Sequence, residues 1–412
     1  MGSAPKNAVS RRGFLTGLAA GAGTLALSER LAMAQNIVSG GALSATDIQG
    51  WGVNPGVVNI GGNENPWGPS PMAIRAVADD MMNLNRYDWS SRREIVKAIA
   101  EYHGIPVPEQ TGSPFGGPTG LPVHVEAGSS FILNLVALNH GVRNGAGEII
   151  EADPSYGMVS RKAVSYGRTF GTEVSSVRVP LTSDHKHDLD AMLEAISDRT
   201  TLVVITNPNN PTGTLLPQAE LDAFVQAVPK HVTIFIDEAY IHFNRVPGND
   251  GSAHLALNNS NVIVCRTMSK VFGLAGLRVG YAIAQPDVVA GLSMFGNSGG
   301  VGRMNAKAAI AALGDHSFIR SVLRKTNEGK EYFYNAMDRL GLDHVKSHSS
   351  FVLVNVEQDG KALADRMRER NIILSRLGVS GNPRYANYVR FTIGTLEELE
   401  VAVSALEKEL AA

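Results

Sequence analysis

The 412-residue sequence contains a single cysteine, Cys265, which excludes an internal disulfide and any metal centre built from several thiolates. That cysteine sits in the apolar run Val262-Ile263-Val264-Cys265, the setting of a core side chain and not of a nucleophile. An excess of either charge is also missing. With 37 Lys plus Arg against 39 Asp plus Glu, the net charge of −2 offers phosphate backbones and anionic lipid surfaces no general attraction. Nucleic acid and lipid are therefore set aside as partners in favour of small molecules. No apolar run reaches the roughly 20 residues that a membrane-spanning helix needs, so no stable membrane insertion is expected. Repeats and low-complexity tracts are absent, and a hydrophobic fraction of 44% rules out a disordered or collagen-like chain. What is present is enough length for two or three domains with a sizeable core.

The first segment reads as an address. Ser10-Arg11-Arg12-Gly13-Phe14-Leu15 leads into an uncharged stretch of 14 residues, Phe14 to Leu27, and Ala32-Met33-Ala34 supplies small residues for cleavage. This is the three-part layout of a secretory signal, and its arginine pair resembles the twin-arginine export signal. Residues 1–34 are expected to be a signal peptide handled by the twin-arginine export machinery, which would place the mature protein in the periplasm or outside the cell. That route is associated with proteins that fold around a cofactor before export.

Beyond it, Pro71 to Met82 reads as a helix, Ser91-Arg92-Arg93-Glu94 as a capping box that opens another, and Gly112 to Gly120 as a loop. Short apolar runs then alternate with helical patterns: Val123 to Glu126, Glu148 to Ile150, Leu202 to Ile205, Thr233 to Ile236, Val262 to Val264 and Gly280 to Ile283. Such alternation defines an α/β domain with a largely parallel sheet. A Gly- and Ser-rich stretch from Met294 to Gly302 interrupts it. The tail reads strand (Phe351 to Val356), helix (Gly360 to Arg370), strand (Tyr388 to Ile393) and helix (Leu396 to Leu410), a smaller α+β unit.

Ligands of open α/β sheets gather at the carboxyl ends of the strands, so the polar residues that follow each run carry the chemistry. Glu126-Ala127-Gly128-Ser129-Ser130 precedes a helix whose free amides suit an anion such as phosphate. Thr206-Asn207-Pro208-Asn209-Asn210-Pro211-Thr212-Gly213 is a turn that can present an Asn side chain, although on its own a purely structural turn is the better reading. Asp237-Glu238-Ala239-Tyr240 places an acid at a strand end and a phenol three residues on, and Arg266-Thr267-Met268-Ser269-Lys270 is followed by Arg278.

With these motifs, Asn63-Glu64-Asn65-Pro66-Trp67-Gly68-Pro69 before them and Arg390-Phe391-Thr392-Ile393-Gly394 after them, the sequence resembles the pyridoxal-phosphate enzymes of class I/II (fold type I), the histidinol-phosphate aminotransferase-like branch in particular. The resemblance implies an aspartate aminotransferase-like fold: a large domain over residues 77–298 with a mostly parallel seven-stranded sheet flanked by helices, and a smaller α+β domain over 299–412. Residues 35–76 would form an N-terminal arm and part of the small domain. It further implies pyridoxal 5′-phosphate as cofactor. Lys270 would bind it covalently and move the substrate proton, Asp237 would pair with the ring nitrogen, and Tyr240 and Asn210 would meet the ring oxygen. Tyr156 would stack on the ring. Ser129, Ser130, Ser269 and Arg278 would hold the phosphate, with Tyr87 reaching it from the other subunit of a homodimer. Arg390, with Arg376 as a second grip and Asn65 beside it, would hold the substrate. The physical requirements agree, since a lysine must be neutral to attack, which favours a partly desolvated site beside other cations, and a guanidinium fork suits a carboxylate.

Two departures bear on the substrate. Where the branch carries a Tyr-Pro-Gly patch, this sequence has Trp51-Gly52-Val53-Asn54-Pro55-Gly56, and Asp88-Trp89 replaces the proline that usually follows the partner tyrosine. Export also argues against histidinol phosphate, a cytoplasmic metabolite. The expected reaction is amino transfer between an amino acid and a 2-oxo acid, the side chain facing Trp51, Tyr156 or Tyr385. Decarboxylation, racemisation or oxidative deamination could use the same residues, whereas a non-catalytic binding protein fits poorly with Lys270 and Asp237. No metal is expected, and Asp184-His185-Lys186-His187-Asp188 reads as an exposed polar loop.

Overall fold

Alternation along each buried strand divides the side chains of one sheet between two cores, and this division organises the molecule. A computed structural model of the chain describes residues 56–107, 120–142, 147–296, 300–375 and 382–411, with Ala32 and Gln35. The expected signal peptide (Ala32 apart), Trp51, Arg376, most of the Gly112 to Gly120 loop and residues 297–299 lie outside the described residues. Among the described residues no helix is long and apolar enough to cross a membrane.

The chain enters through a two-residue strand, β1 (Val58–Asn59), and two helices, α1 (Pro71–Asp80) and α2 (Trp89–Tyr102). Helix α2 starts at Trp89, ahead of the expected capping box. Asp88 is its cap, Oδ1 accepting from the Ser90 and Ser91 amides at 3.1 and 3.2 Å, because a carboxylate satisfies free N-terminal donors and the helix dipole together.

Seven strands follow: β2 (Val123–Glu126), β3 (Gly147–Asp153), β4 (Val174–Pro180), β5 (Thr200–Thr206), β6 (Thr233–Asp237), β7 (Val262–Thr267) and β8 (Gly280–Ile283). They pair in the order β2-β8-β7-β6-β5-β3-β4, and β8 alone runs against its neighbours. All six apolar runs of the sequence are strands of this sheet. Ile234 and Ile236 of β6 join one core with Val203, Ile205, Val262 and Val264, while Phe235 joins the opposite core with Leu202, Val204, Ile263 and Cys265. Each such burial is worth about 1.5–3 kcal/mol. Helices α3 (Ser129–Asn139) and α4 (Met158–Phe170) pack on the second core through Ile132, Val136, Val159 and Ala163. The seventh strand, β4, escaped the pattern because it is a sheet edge, half-exposed, with Ser175, Ser176 and Arg178 among its valines.

The chain continues through helices α5 (Leu189–Glu194), α6 (Gln218–Ala227), α7 (Ala253–Asn258), α8 (Pro286–Met294), α9 (Arg303–Gly314) and the long α10 (His316–Leu340). A smaller α+β unit follows with β9 (Phe351–Asn355), α11 (Gly360–Glu369), β10 (Ile372–Ile373), β11 (Tyr388–Thr392) and α12 (Leu396–Leu410). Strands β9 and β11 are antiparallel, Thr392 opposite Phe351. The entering strand β1 pairs with β10, and Ile60 is buried in this unit's core with Phe333, Met337 and Phe391. Residues 61–64 are thereby delivered between the small unit and the carboxyl edge of the large sheet.

Candidate active site

At that edge Asp237 closes β6, in register with Thr206 of β5 and Cys265 of β7. Its side chain is 5% exposed and accepts from the Ala239 amide at 3.1 Å. Desolvation pushes its carboxyl up to about 6, Glu238 adding to the rise while the Ala239 amide and Lys270 oppose it. Glu238, the next residue, is buried against Arg266 at 2.8 Å.

Lys270 lies on the turn after β7, its Nζ donating to the Asn63 carbonyl at 2.9 Å and lying 5.4 Å from the centre of the Tyr240 ring. The buried Tyr240 Oη accepts from Asn63 Nδ2 at 2.9 Å, and the ring packs edge-on against Phe351. Together with Ser129, Ser130, Tyr156, Asn210, Asp237, Ser269, Arg278 and Arg390, these two side chains line one cavity of ≈ 340 Å³.

One end of the cavity is built for an anion. Helix α3 begins at Ser129 with no side chain capping its first amides, and Ser269 Oγ receives hydrogen bonds from Thr267 Oγ1 at 2.9 Å and Arg278 Nη1 at 3.4 Å. Arg278 is held in the left-handed region, φ 52°, and Nη1 is anchored on the Ala275 carbonyl at 2.9 Å. Two glycines make room. A Cβ on Gly128 would come within 2.4 Å of Arg278 Nη2, and one on Gly280 within 2.1 Å of the Ser129 amide. Helix amides, the three hydroxyls of Ser129, Ser130 and Ser269, and a fixed guanidinium make a donor set suited to a phosphate dianion.

The other end holds Arg390. Its Nη1 donates to Asn210 Oδ1 at 2.6 Å and its Nη2 to the Gly61 carbonyl at 2.9 Å, its plane lies over Phe351 at 5.3 Å, and its Nε is buried without a partner. Burial lowers its pKa, yet a guanidinium stays charged. Because the Asn210 oxygen is taken by Arg390, that residue has its amide nitrogen left to donate.

Three expectations are corrected, those on Asn65, Tyr385 and the segment from Asp184 to Asp188. Asn65 does not line this cavity; its Nδ2 donates to the Lys270 and Val271 carbonyls at 3.3 and 3.0 Å, so it pins the lysine's turn from below. Tyr385 is fully buried and shares a 2.8 Å hydrogen bond with His185 Nδ1, so it cannot face a substrate. The segment from Asp184 to Asp188 is not simply an exposed loop: His187 is buried, its Nε2 accepts from the Thr206 amide at 3.3 Å, and desolvation pulls its pKa down to about 4. Tyr87 is 90% exposed and stacks on Trp89, away from the cavity of its own chain. Among the described residues no cluster of three His, Cys, Asp or Glu could hold a metal. Sequence reasoning passed over Asn63 and Thr206 as lining residues. The available signal for Asn63 was its place at the head of Asn63-Glu64-Asn65-Pro66, just after the glycine pair Gly61-Gly62.

Comparison with known proteins identifies the family. Residues 55–406 match the family model "Aminotransferase class I and II". The chain is 33% identical over 356 residues to a histidinol-phosphate aminotransferase of Moorella thermoacetica, covering 86% of each chain. It is also 33% identical to an aromatic amino acid aminotransferase of Rhodococcus erythropolis, covering 87% of this chain and 91% of that one. Among solved structures, histidinol-phosphate aminotransferase from Sinorhizobium meliloti in complex with pyridoxal-5′-phosphate superposes with a TM-score of 0.74 at 25% identity, covering 86% of this chain and 91% of the other. The chain belongs to the class I and II aminotransferases. It is a pyridoxal-phosphate-dependent transaminase with an aspartate aminotransferase-like fold, moving an amino group between an amino acid or related amine and a 2-oxo acid.

Proposed function

We propose that the enzyme transaminates an amino acid that Arg390 holds by its α-carboxylate. The observation that carries this reading is the Arg390 guanidinium itself, fixed by Asn210 and Gly61 in the same cavity as Lys270 and Asp237. Among the described lining residues Arg278 and Arg390 are the two guanidiniums, and Arg278 belongs to the anion cradle at the head of α3. One fork remains for the substrate, which suits a carboxylate.

Pyridoxal phosphate, when bound, supplies an electron-withdrawing ring that stabilises negative charge on the substrate Cα. Ser129, Ser130, Ser269 and Arg278 would hold its phosphate, Asp237 its ring nitrogen, Asn210 and Tyr240 its ring oxygen, and Tyr156 its face. Lys270 would hold the cofactor and would carry the proton to and from the substrate Cα. The Asn63 carbonyl keeps the lysine nitrogen beside Tyr240, within the cavity where that proton moves.

The test adds single L-amino acids, and histidinol phosphate, to the purified protein with no oxo acid present. Loss of the visible cofactor absorption with an amino acid supports the reading, and bleaching by histidinol phosphate alone would sink it. Replacing Arg390 by alanine is expected to weaken the apparent affinity for the amino acid by about 10²–10³-fold, the cost of losing a buried charge-assisted contact. An unchanged affinity would remove Arg390 from this role.

The proposal extends to assembly and location. The nearby exposed side chains Met82, Leu84, Tyr87 and Trp89 support a homodimer in which Tyr87 serves the neighbouring site, and Arg11-Arg12 with the uncharged stretch after it supports twin-arginine export. Cell fractionation should find the protein outside the cytoplasm, and changing both Arg11 and Arg12 to lysine should retain it inside. Equal export of the two forms would exclude that route.

A further inference from the structure

Asn63 lies where β1 leaves the small unit, 2% exposed and with a left-handed φ of 52°, a conformation that asparagine tolerates better than most residues. It is the meeting point of both catalytic side chains and the small unit. Its carbonyl accepts from Lys270 Nζ at 2.9 Å and its Nδ2 donates to Tyr240 Oη at 2.9 Å. Its own amide donates to Thr392 Oγ1 at 3.0 Å, and its Oδ1 accepts from that hydroxyl at 2.8 Å.

The Thr392 hydroxyl donates to Oδ1, and the end of the side-chain amide that faces Tyr240 is the NH₂. A phenol oxygen that accepts from an NH₂ keeps its own proton for another partner. We propose that Asn63 is a positioning residue that turns the Tyr240 hydroxyl proton toward the ring oxygen of the cofactor, making Tyr240 a donor there. Thr392 shares a face of β11 with Arg390, two residues before it, so the strand that grips the substrate also sets the amide. This inference rests on the placement of Tyr240 at the ring oxygen proposed above.

A donor at that oxygen stabilises the form of the bound cofactor in which the oxygen is negative, and so lowers the pH midpoint of the visible absorption change. Asn63→Asp keeps the size and the bond from Thr392 but offers Tyr240 an acceptor, which turns the phenol proton away. In the cofactor-loaded protein its midpoint is expected to rise by about one pH unit, as in Tyr240→Phe. Thr392→Val frees the amide to rotate and should move the midpoint in the same direction without adding charge. In a Tyr240→Phe background Asn63→Asp should add little. An equal shift with and without Tyr240, or unmoved midpoints in Asn63→Asp and Thr392→Val while Tyr240→Phe shifts, would overturn the role of Asn63. An unmoved midpoint in Tyr240→Phe itself would overturn the placement of Tyr240 and the inference with it.

Discussion

Replacing Lys270 by alanine is expected to abolish turnover, lowering it by roughly 10⁴-fold or more, because in the function proposed above one side chain supplies both the nucleophile for the cofactor and the proton carrier at Cα. Its nitrogen sits against the Asn63 carbonyl at 2.9 Å. No other lysine lines the cavity among the described residues, so none can take its place. Rapid-mixing absorption measurements on the cofactor-loaded variant check this directly. The visible band of the lysine-bound cofactor should be missing, and a small added primary amine should restore part of the proton transfer. A variant that stays yellow and turns over normally would move the chemistry to another residue.

Asp237→Asn is expected to affect activity and stability in opposite directions. The proposed pairing of the carboxylate with the ring nitrogen would be a preorganised electrostatic contact, and removing one such contact costs roughly 10²–10³-fold in rate. Stability goes the other way. Burial raises the Asp237 carboxyl from 3.8 to about 6, so the folded chain binds this proton more tightly than the unfolded chain. Protein stripped of cofactor therefore loses stability as the pH rises from about 4 through 6, and above 6 it carries the whole cost, on the order of 3 kcal/mol. Asparagine has no charge to desolvate. Thermal unfolding of the stripped variant should show a higher midpoint than the parent at pH 8 and a similar one near pH 4. A lower midpoint at pH 8 would mean that the carboxylate is compensated inside the fold.

The sheet was legible because strands buried on both faces leave continuous apolar runs, and their polar ends fall on one edge. That placed Asp237 at the end of β6 and Lys270 on the turn after β7 in a common cavity. Family resemblance, and no periodicity, brought Arg390 to them from the far end of the chain. The features missed have two causes, exposure at a sheet edge and dependence on a partner distant in sequence. Strand β4 was missed because an edge strand need bury only part of one face. Asn65 spends its amide on backbone carbonyls 205 and 206 positions away, and Tyr385 is buried by His185, 200 positions earlier. Neither choice can be read from neighbouring residues.

The pairing of β1 with β10, and of Asn63 with Thr392 across 329 positions, imposes an order on the birth of this enzyme. Lys270, Asp237 and the anion cradle can all have left the ribosome while the cavity still lacks a wall, because residues 61–64 stay unanchored until β10 and β11 have been made. Contacts of such long range close late. A nascent or truncated chain can therefore expose its reactive lysine but cannot assemble the complete site, and competence to hold cofactor and substrate together becomes a signature of a finished chain.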